Sequence, residues 1–308
     1  MNTNLTLSVS PHIHSGRSTR RIMLDVLIAL LPATVAGAVI FGLQSLVVIA
    51  STVIACLGFE ALFNLAAKKP IPVDDLSAAV TGLLLALNLP ANTPWWQCVI
   101  GALFAMVVVK GLFGGLGANP VNPAITARVF MLVSFGSLAK AAFPTLVDTV
   151  SSATPLASEE ATSLTDLLLG LHGGAIGETC AVALLLGGIY LLVRRVITWH
   201  VPVAFIGTVF VASFLAEGMD VTAALAAVLS GGLLIGAIFM ATDYVTSPVT
   251  PWGKIIFGLG AGLITFMIRH FSVYPEGVSF AILFMNIITP YISSWTKRKV
   301  FGVGGKKA

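Results

Sequence analysis

"LDVLIALLPATVAGAVIFG", Leu24 to Gly42, carries one carboxylate, Asp25, at its start and nothing charged after it. A second stretch follows at once: "LVVIASTVIACLGFEALFNLA", Leu46 to Ala66, again with a single charge, Glu60. A bilayer core about 30 Å thick is crossed by about 20 apolar residues in a helix. Two such stretches joined by three residues read as a membrane-spanning helical hairpin, and that reading sets the class of the whole chain.

The rest of the sequence repeats the pattern. Of 308 residues, 57% are hydrophobic and 10% charged, and the mean hydropathy is +0.97. Soluble domains carry roughly a quarter charged residues. Further apolar segments run from Leu76 to Leu89, Trp95 to Phe113, Ala124 to Ala142, Cys180 to Val193, Val201 to Ala216, Val221 to Met240, Ile255 to Ile268 and Val278 to Trp295. The expected fold is an all-α polytopic membrane protein with about ten transmembrane helices in one membrane domain spanning 1–308. The third segment ends in "LNLPANTP", whose prolines stop the helix.

Lys and Arg are retained on the cytoplasmic side of a membrane. Arg17, Arg20 and Arg21 precede the first segment, Lys68 and Lys69 follow the second, Lys110 ends the fourth, Arg194 and Arg195 follow the sixth, and Lys297, Arg298 and Lys299 follow the last. All fall on one side if every segment crosses; Lys140 alone opposes. Residues 1–23 and 296–308 are then cytoplasmic tails, and the connection 141–177 is external. The net charge of +4 sits at segment ends, so it reports topology and not a nucleic-acid surface.

"DDLSAAVTGLLLALNLPANTPWWQCVIGALFAMVVVK" aligns with "MDVTAALAAVLSGGLLIGAIFMATDYVTSPVTPWGKIIFGLGAGLITFMIR": an acidic start, an apolar span, a Pro-containing turn, then Trp95 and Gly101 against Trp252 and Gly258. The two copies enter from opposite sides, which gives an inverted 5+5 repeat of the kind that builds midplane sites.

Three polar insertions interrupt the apolar background: Gly115 to Arg128, Asp148 to Glu160, and Ala241 to Lys254. They make ordinary turns, or they release backbone and side-chain groups to meet a planar polar ligand. Asn88, Asn119, Asn122, Arg128, Asp243 and Arg269 are polar groups near membrane depth, where such groups are partnered or functional. A helix start or snorkelling would account for Arg128 and Arg269; Asp243 is harder to excuse. His12, His14, His172, His200 and His270 fall in tails or loops and are expected to be solvated. Cys56, Cys98 and Cys180 are far apart, with no CxxC, so neither a zinc site nor an iron–sulfur cluster is expected from this chain, and no catalytic residue or metal ligand is assigned.

"DTVSSATPLASEE", Asp148 to Glu160, stands out on the longest connection. Asp148, Ser151, Ser152, Ala153 and Thr154 spell D-x-x-S-S-A-T, which resembles the acceptor pattern that flavin transferases modify by placing FMN, through its phosphate, on the last hydroxyl. Small residues around Thr154 suit an extended segment laid across a transferase site.

Together with "SPHIHSG", "VDDLSAAVTGLLLALNLP", "GLGANPVNPAITARVFM", "ATDYVTSPVTPWGKIIFG" and "YPEGVSFAILFMNIITPYI", this motif gives a resemblance over nearly the whole chain. The sequence resembles the D-subunit family of the Rnf complex, the membrane-bound ferredoxin:NAD⁺ oxidoreductase that pumps Na⁺ or H⁺. Its sister family is the B subunit of the Na⁺-pumping NADH:quinone oxidoreductase, whose longer N-terminal extension is missing here. The resemblance implies FMN on Thr154, and a second, noncovalent flavin such as riboflavin nearer the membrane interior, for which Asn88, Asn119, Asn122, Arg128 and Asp243 are the candidates, or for an ion path. It implies as partners the G subunit flavoprotein, the A and E membrane subunits, the B and C iron–sulfur and NAD-linked subunits, a flavin transferase and membrane lipid, with the chain in a bacterial or archaeal inner membrane. Two other readings stay open: a small-solute channel of the urea or ammonium kind, which leaves the D-x-x-S-S-A-T motif unexplained, and a purely structural anchor for the rest of the complex.

Overall fold

A computed structural model describes residues 18–69, 73–136, 142, 163–272 and 277–297. The motif residues Asp148, Ser151, Ser152, Ala153 and Thr154, Lys140 and most of both tails lie outside the described residues. Among the described residues the secondary structure is helical, with one isolated bridge between Ala142 and Gly174.

The opening hairpin forms as two long helices, α1 (Thr19–Phe41) and α2 (Leu43–Ala66). Ser18 starts α1 by accepting from Arg21 N, and Gly42 makes the turn at φ 71°, a left-handed value that side chains disfavour. The third segment gives α3 (Ser77–Leu87), ended by the Pro90 and Pro94 stretch. Next come α4 (Trp95–Leu103), continued by a π-helix over Phe104–Gly111, and α5 (Pro123–Ser134). After α6 (Leu164–Leu169) and α7 (Ala181–Val193) come α8 (His200–Ala216) and α9 (Val221–Leu229). The eighth apolar segment is broken: α9 stops at "SGG", Ser230–Gly232, and α10 (Leu233–Ile235) resumes as a π-helix over Gly236–Met240, with a bend of 66° between the two parts. The chain closes with α11 (Pro251–Phe271) and α12 (Val278–Trp295).

Four helices, α1, α2, α11 and α12, are long and apolar enough to cross a membrane alone, and the bent α9–α10 pair makes a fifth. Outward-facing Val39, Ile54, Leu62 and Leu263 are exposed, as suits a surface solvated by lipid or by neighbouring chains of a complex. Trp95, Trp199, Trp252 and Trp295, all exposed, stand at helix ends, where indole rings prefer the membrane interface. This is a multi-pass membrane protein.

A close seam joins α11 to α8. A Cβ on Gly258 would stand 2.7 Å from Ala204 Cβ, and one on Gly262 would stand 2.6 Å from Thr208 Cβ. The Gly258-x-x-x-Gly262 spacing puts both bare positions on one face, so the two backbones approach closely enough for dispersion to hold them where no hydrophobic effect operates.

The connection expected as an external loop over 141–177 is not all loop. It contains α6, and residues 172–179 are buried inside the bundle. Two of their amides are satisfied at the end of α3: Ile176 N donates to Leu89 O at 3.0 Å and Gly177 N to Leu87 O at 2.7 Å. Leu87 and Leu89 can accept because the proline stretch ended α3 and left those carbonyls unpaired. His172 is therefore buried, not solvated. His200 and His270 are on helices, stacked on Trp199 and Phe266 respectively.

Candidate functional site

At the N-terminal end of α3 the chain makes a strained start. Leu76 adopts φ 62°, a left-handed value costly for a branched residue. Asp75 holds the turn: its Oδ1 accepts from Ser77 N at 2.7 Å and from Ser77 Oγ at 2.5 Å. That fixes Ser77 Oγ where Lys110 Nζ reaches it at 2.6 Å. Lys110 comes from the π-helical end of α4, where i→i+5 bonding such as Leu112 N to Val107 O widens the turn. Its other partner is Glu60 of α2, at 2.5 Å. Lys110 and Glu60 are both 4% exposed. From sequence Lys110 is the end of the fourth segment and a mark of topology; in the fold it is also buried and paired with Glu60, since a buried cation is tolerated only when paired.

Two of the three polar insertions converge beside this pair. Asn122 caps α5, its Oδ1 accepting from Ala124 N at 3.0 Å and Ile125 N at 3.4 Å, and its Nδ2 donates across to Met240 O at 3.3 Å. Asn119 Nδ2 donates to Val121 O. Asp243 forms an Asx turn, accepting from Val245 N at 3.3 Å and from Thr246 Oγ1 at 3.1 Å. Asp243 sits in the connection after Met240, and burial pushes its carboxyl above the ordinary range against the pull of those two bonds. Asn119, Asn122, Asp243, Ser77, Thr81 and Lys110 all line one cavity of about 100 Å³, whose apolar walls come from α1, α3 and Phe239.

Lys110 also lines a second cavity, about 240 Å³, with Glu60, Asp75 and Asn64. Glu60 Oε2 is buried there without a hydrogen-bond partner among the described residues. A third cavity, about 140 Å³, adjoins the first on the side of Tyr244.

Of the residues singled out from sequence, Asn119, Asn122 and Asp243 are thus brought together. Asn88 and Arg128 are not on that lining. Asn88 bonds back to Leu84 O at 2.7 Å and touches Met240 Sδ at 3.5 Å; Arg128 is buried in mid-helix at 1% exposure, so it neither starts a helix nor snorkels. Arg269 does neither as well: it donates to Ala227 O at 2.6 Å and Ser230 O at 3.1 Å, closing the carbonyls that the break after α9 leaves open. Sequence reasoning assigns no role to Glu60 or Ser77. A lone carboxylate in the second apolar stretch is the available signal for Glu60.

The family model for the NQR2, RnfD, RnfE family matches residues 6–302. The chain belongs to the NQR2, RnfD, RnfE family. Among its relatives, the D subunit of the Na⁺-translocating ferredoxin:NAD⁺ oxidoreductase complex of Acetobacterium woodii is 48% identical, over 97% of this chain and 96% of the relative. The D subunit of the proton-translocating ferredoxin:NAD⁺ oxidoreductase complex of Clostridium ljungdahlii is 40% identical, over 96% of each chain. The D subunit of the ion-translocating oxidoreductase complex of Citrobacter koseri is 36% identical, over 96% of this chain and 98% of the relative. All three of these relatives bear names of ion-translocating complexes.

Proposed function

We propose that this chain is the D-type membrane component of an ion-translocating ferredoxin:NAD⁺ oxidoreductase, carrying FMN esterified to Thr154 and a second, noncovalent flavin such as riboflavin in the cavity lined by Asn119, Asn122 and Asp243. The observation that carries the reading is identity of 48% and 40% over essentially full length to D subunits of such complexes. The sister reading, a B-type component of the Na⁺-pumping NADH:quinone oxidoreductase, shares the family model, but the three relatives named above are D subunits. A small-solute channel would have no use for the D-x-x-S-S-A-T run.

The cavity chemistry suits a flavin ring. An amide can make four hydrogen bonds, and Asn119 uses one on Val121 O. Amides, a hydroxyl and an ammonium at one end of an apolar slot match a planar ring with alternating donors and acceptors on one edge. When bound, a flavin supplies one- or two-electron chemistry. The residues of this chain would orient the ring through Asn119 and Asn122, exclude water with Val80, Leu84 and Phe239, and set the Lys110–Glu60 pair beside it. The Thr154 connection is tied back to the bundle through Ala142 and Gly174, near Leu89, at the far end of α3 from Ser77. Eleven residues of helix separate those ends, about 16 Å at 1.5 Å per residue.

The membrane arrangement proposed with it is ten crossings, both termini cytoplasmic, the Thr154 connection external, and an inverted 5+5 repeat. Support for the repeat comes from two matching helix starts. Asp220 Oδ1 accepts from Thr222 N at 2.8 Å and Thr222 Oγ1 at 2.7 Å, as Asp75 does from Ser77. Partners are the other Rnf subunits (G, A, E, B and C), a flavin transferase and membrane lipid, in a bacterial or archaeal cell membrane, with Na⁺ or H⁺ as the ion moved.

The test is intact mass of the chain purified from cells that also express an active flavin transferase, with peptide mapping. A gain of one FMN less water on Thr154 is expected. An unmodified chain, with a control acceptor modified by the same transferase, would sink the covalent assignment.

A further inference from the structure

Lys110 borders two cavities at once. On one side lies the cavity of Asn119, Asn122 and Asp243; on the other lies the cavity that Glu60, Asn64 and Asp75 share. Ser77 belongs to the first wall and Glu60 to the second, and Lys110 Nζ donates to both, at 2.6 Å and 2.5 Å. The ammonium therefore stands in the partition between them.

Local structure puts it there. Lys110 O accepts from Gly115 N at 2.9 Å, an i→i+5 bond at the π-helical end of α4. Gly111 lets α2 close in on that turn, since a Cβ there would stand 2.9 Å from the Phe63 ring. Glu60 lies three residues before Phe63, on the same face of α2, and so meets the lysine. An ammonium has three donors, and two are spent on Glu60 and Ser77. The carboxylate is less well provided. Glu60 Oε2 is buried without a hydrogen-bond partner among the described residues, and Asn64 spends its amide on the backbone carbonyl of Glu60, at 2.8 Å. Among the described residues, Lys110 is the donor that holds the Glu60 carboxylate.

The pair is neutral, so an uncharged ring in the inner cavity leaves it in place. Two electrons and one proton taken up by a flavin there leave one net negative charge on the ring, and the ammonium then has an anion on each side. Buried charges are little screened, so the new anion competes with Glu60 for the same donor. Resting on the inner-flavin reading given above, we propose that Lys110 is a redox-linked positioning residue: on reduction it turns from Glu60 towards the inner cavity, pivoting on Ser77 Oγ, and frees the Glu60 carboxylate into the wider cavity. Only hydrogen bonds are exchanged, and the lysine keeps its proton.

The test uses the purified complex containing the full chain, loaded with riboflavin and titrated with dithionite, read against the same protein depleted of extractable flavin. Infrared difference spectra are expected to show a Glu60 carboxylate band that shifts as the extractable flavin is reduced and is missing in Glu60→Gln. Ser77→Ala keeps both charges, loses the pivot and is expected to diminish that shift. The midpoint potential separates a moving cation from a fixed pair. Removing a fixed neutral pair leaves the net charge beside the ring unchanged, whereas removing a cation that turns towards the ring makes reduction harder. Glu60→Gln/Lys110→Met is therefore expected to lower the potential by about 30 mV, a tenfold weaker preference for the reduced state in a two-electron couple. A wild-type Glu60 band that stays still on reduction, or a double variant with the wild-type potential, would overturn the switch. Wild-type protein that retains no extractable flavin would overturn the inner-flavin reading instead, a separate failure read from flavin content alone.

Discussion

Lys110 Nζ lies 2.5 Å from Glu60 Oε1, and the pair is closed off from solvent between α2 and the π-helical end of α4. Removing one member leaves a buried charge without its counterion, which costs about 3–5 kcal/mol. Lys110→Met is therefore expected to collapse yield or thermal stability in detergent, and Glu60→Gln/Lys110→Met together to recover most of it. A double variant no better than the single would show that the two residues act separately.

Thr154→Ala should abolish covalent flavin fluorescence in a denaturing gel while the chain still inserts at normal yield, since no apolar segment changes. Thr154→Ser keeps a hydroxyl and should retain part of the signal. Unchanged fluorescence in the alanine band would move the attachment elsewhere.

Asn122 does two jobs that can be separated. Asn122→Asp keeps the oxygen that caps α5 and loses the Nδ2 donor to Met240 O, whereas Asn122→Ala loses both. The alanine variant should be less stable by about 1 kcal/mol, the usual worth of a cap, and both should lower extractable flavin. Flavin content that tracks only stability would mean the amide is a cap and nothing more.

Burial raises the Asp243 carboxyl, so the folded chain favours its protonated form. Its stability is then greatest below the unfolded value of about 3.9 and declines as pH rises through the higher folded value. Asp243→Asn, which does not titrate, should match wild type near that acidic limit and exceed it towards neutral pH, in thermal scans of protein freed of extractable flavin. Parallel curves for the two would contradict the assignment.

Gly258→Leu is expected to push α11 off α8, because the new side chain would start 2.7 Å from Ala204 Cβ and 2.9 Å from Val201 O. Overpacking of this kind costs about 1–3 kcal/mol. Thermal stability equal to wild type would mean the helices part without penalty.

Much of the fold was legible in the sequence because a membrane helix announces itself locally, by apolar length and by prolines that end it. Each apolar segment expected from the sequence contains a helix, and the stop at "LNLPANTP" falls where α3 ends. What escaped depends on distance along the chain. Glu60 and Lys110 are fifty positions apart and meet only because α2 packs against α4. Arg269 finds its carbonyl partners 42 and 39 residues away, at a helix break created by Ser230 and two glycines. Asn119, Asn122 and Asp243 could be picked out as unusual, yet only the folded bundle sets two connections against one cavity. Asn88 and Arg128 had the same signature and are placed elsewhere, since polarity at membrane depth does not say which neighbour satisfies it.

Residues 174–177 give the bundle a calendar. Ile176 N and Gly177 N donate to Leu89 O and Leu87 O, and Ile176 O occupies the space a side chain on residue 37 would need. Bare amides cannot wait in lipid, so α1 and α3 must already stand side by side before this stretch slides between them. During synthesis residue 154 emerges ahead of residues 174–177, so on the covalent assignment proposed above a transferase can meet its target before that stretch docks. Biogenesis and cofactor loading would then share one clock, set by the moment residues 174–177 dock.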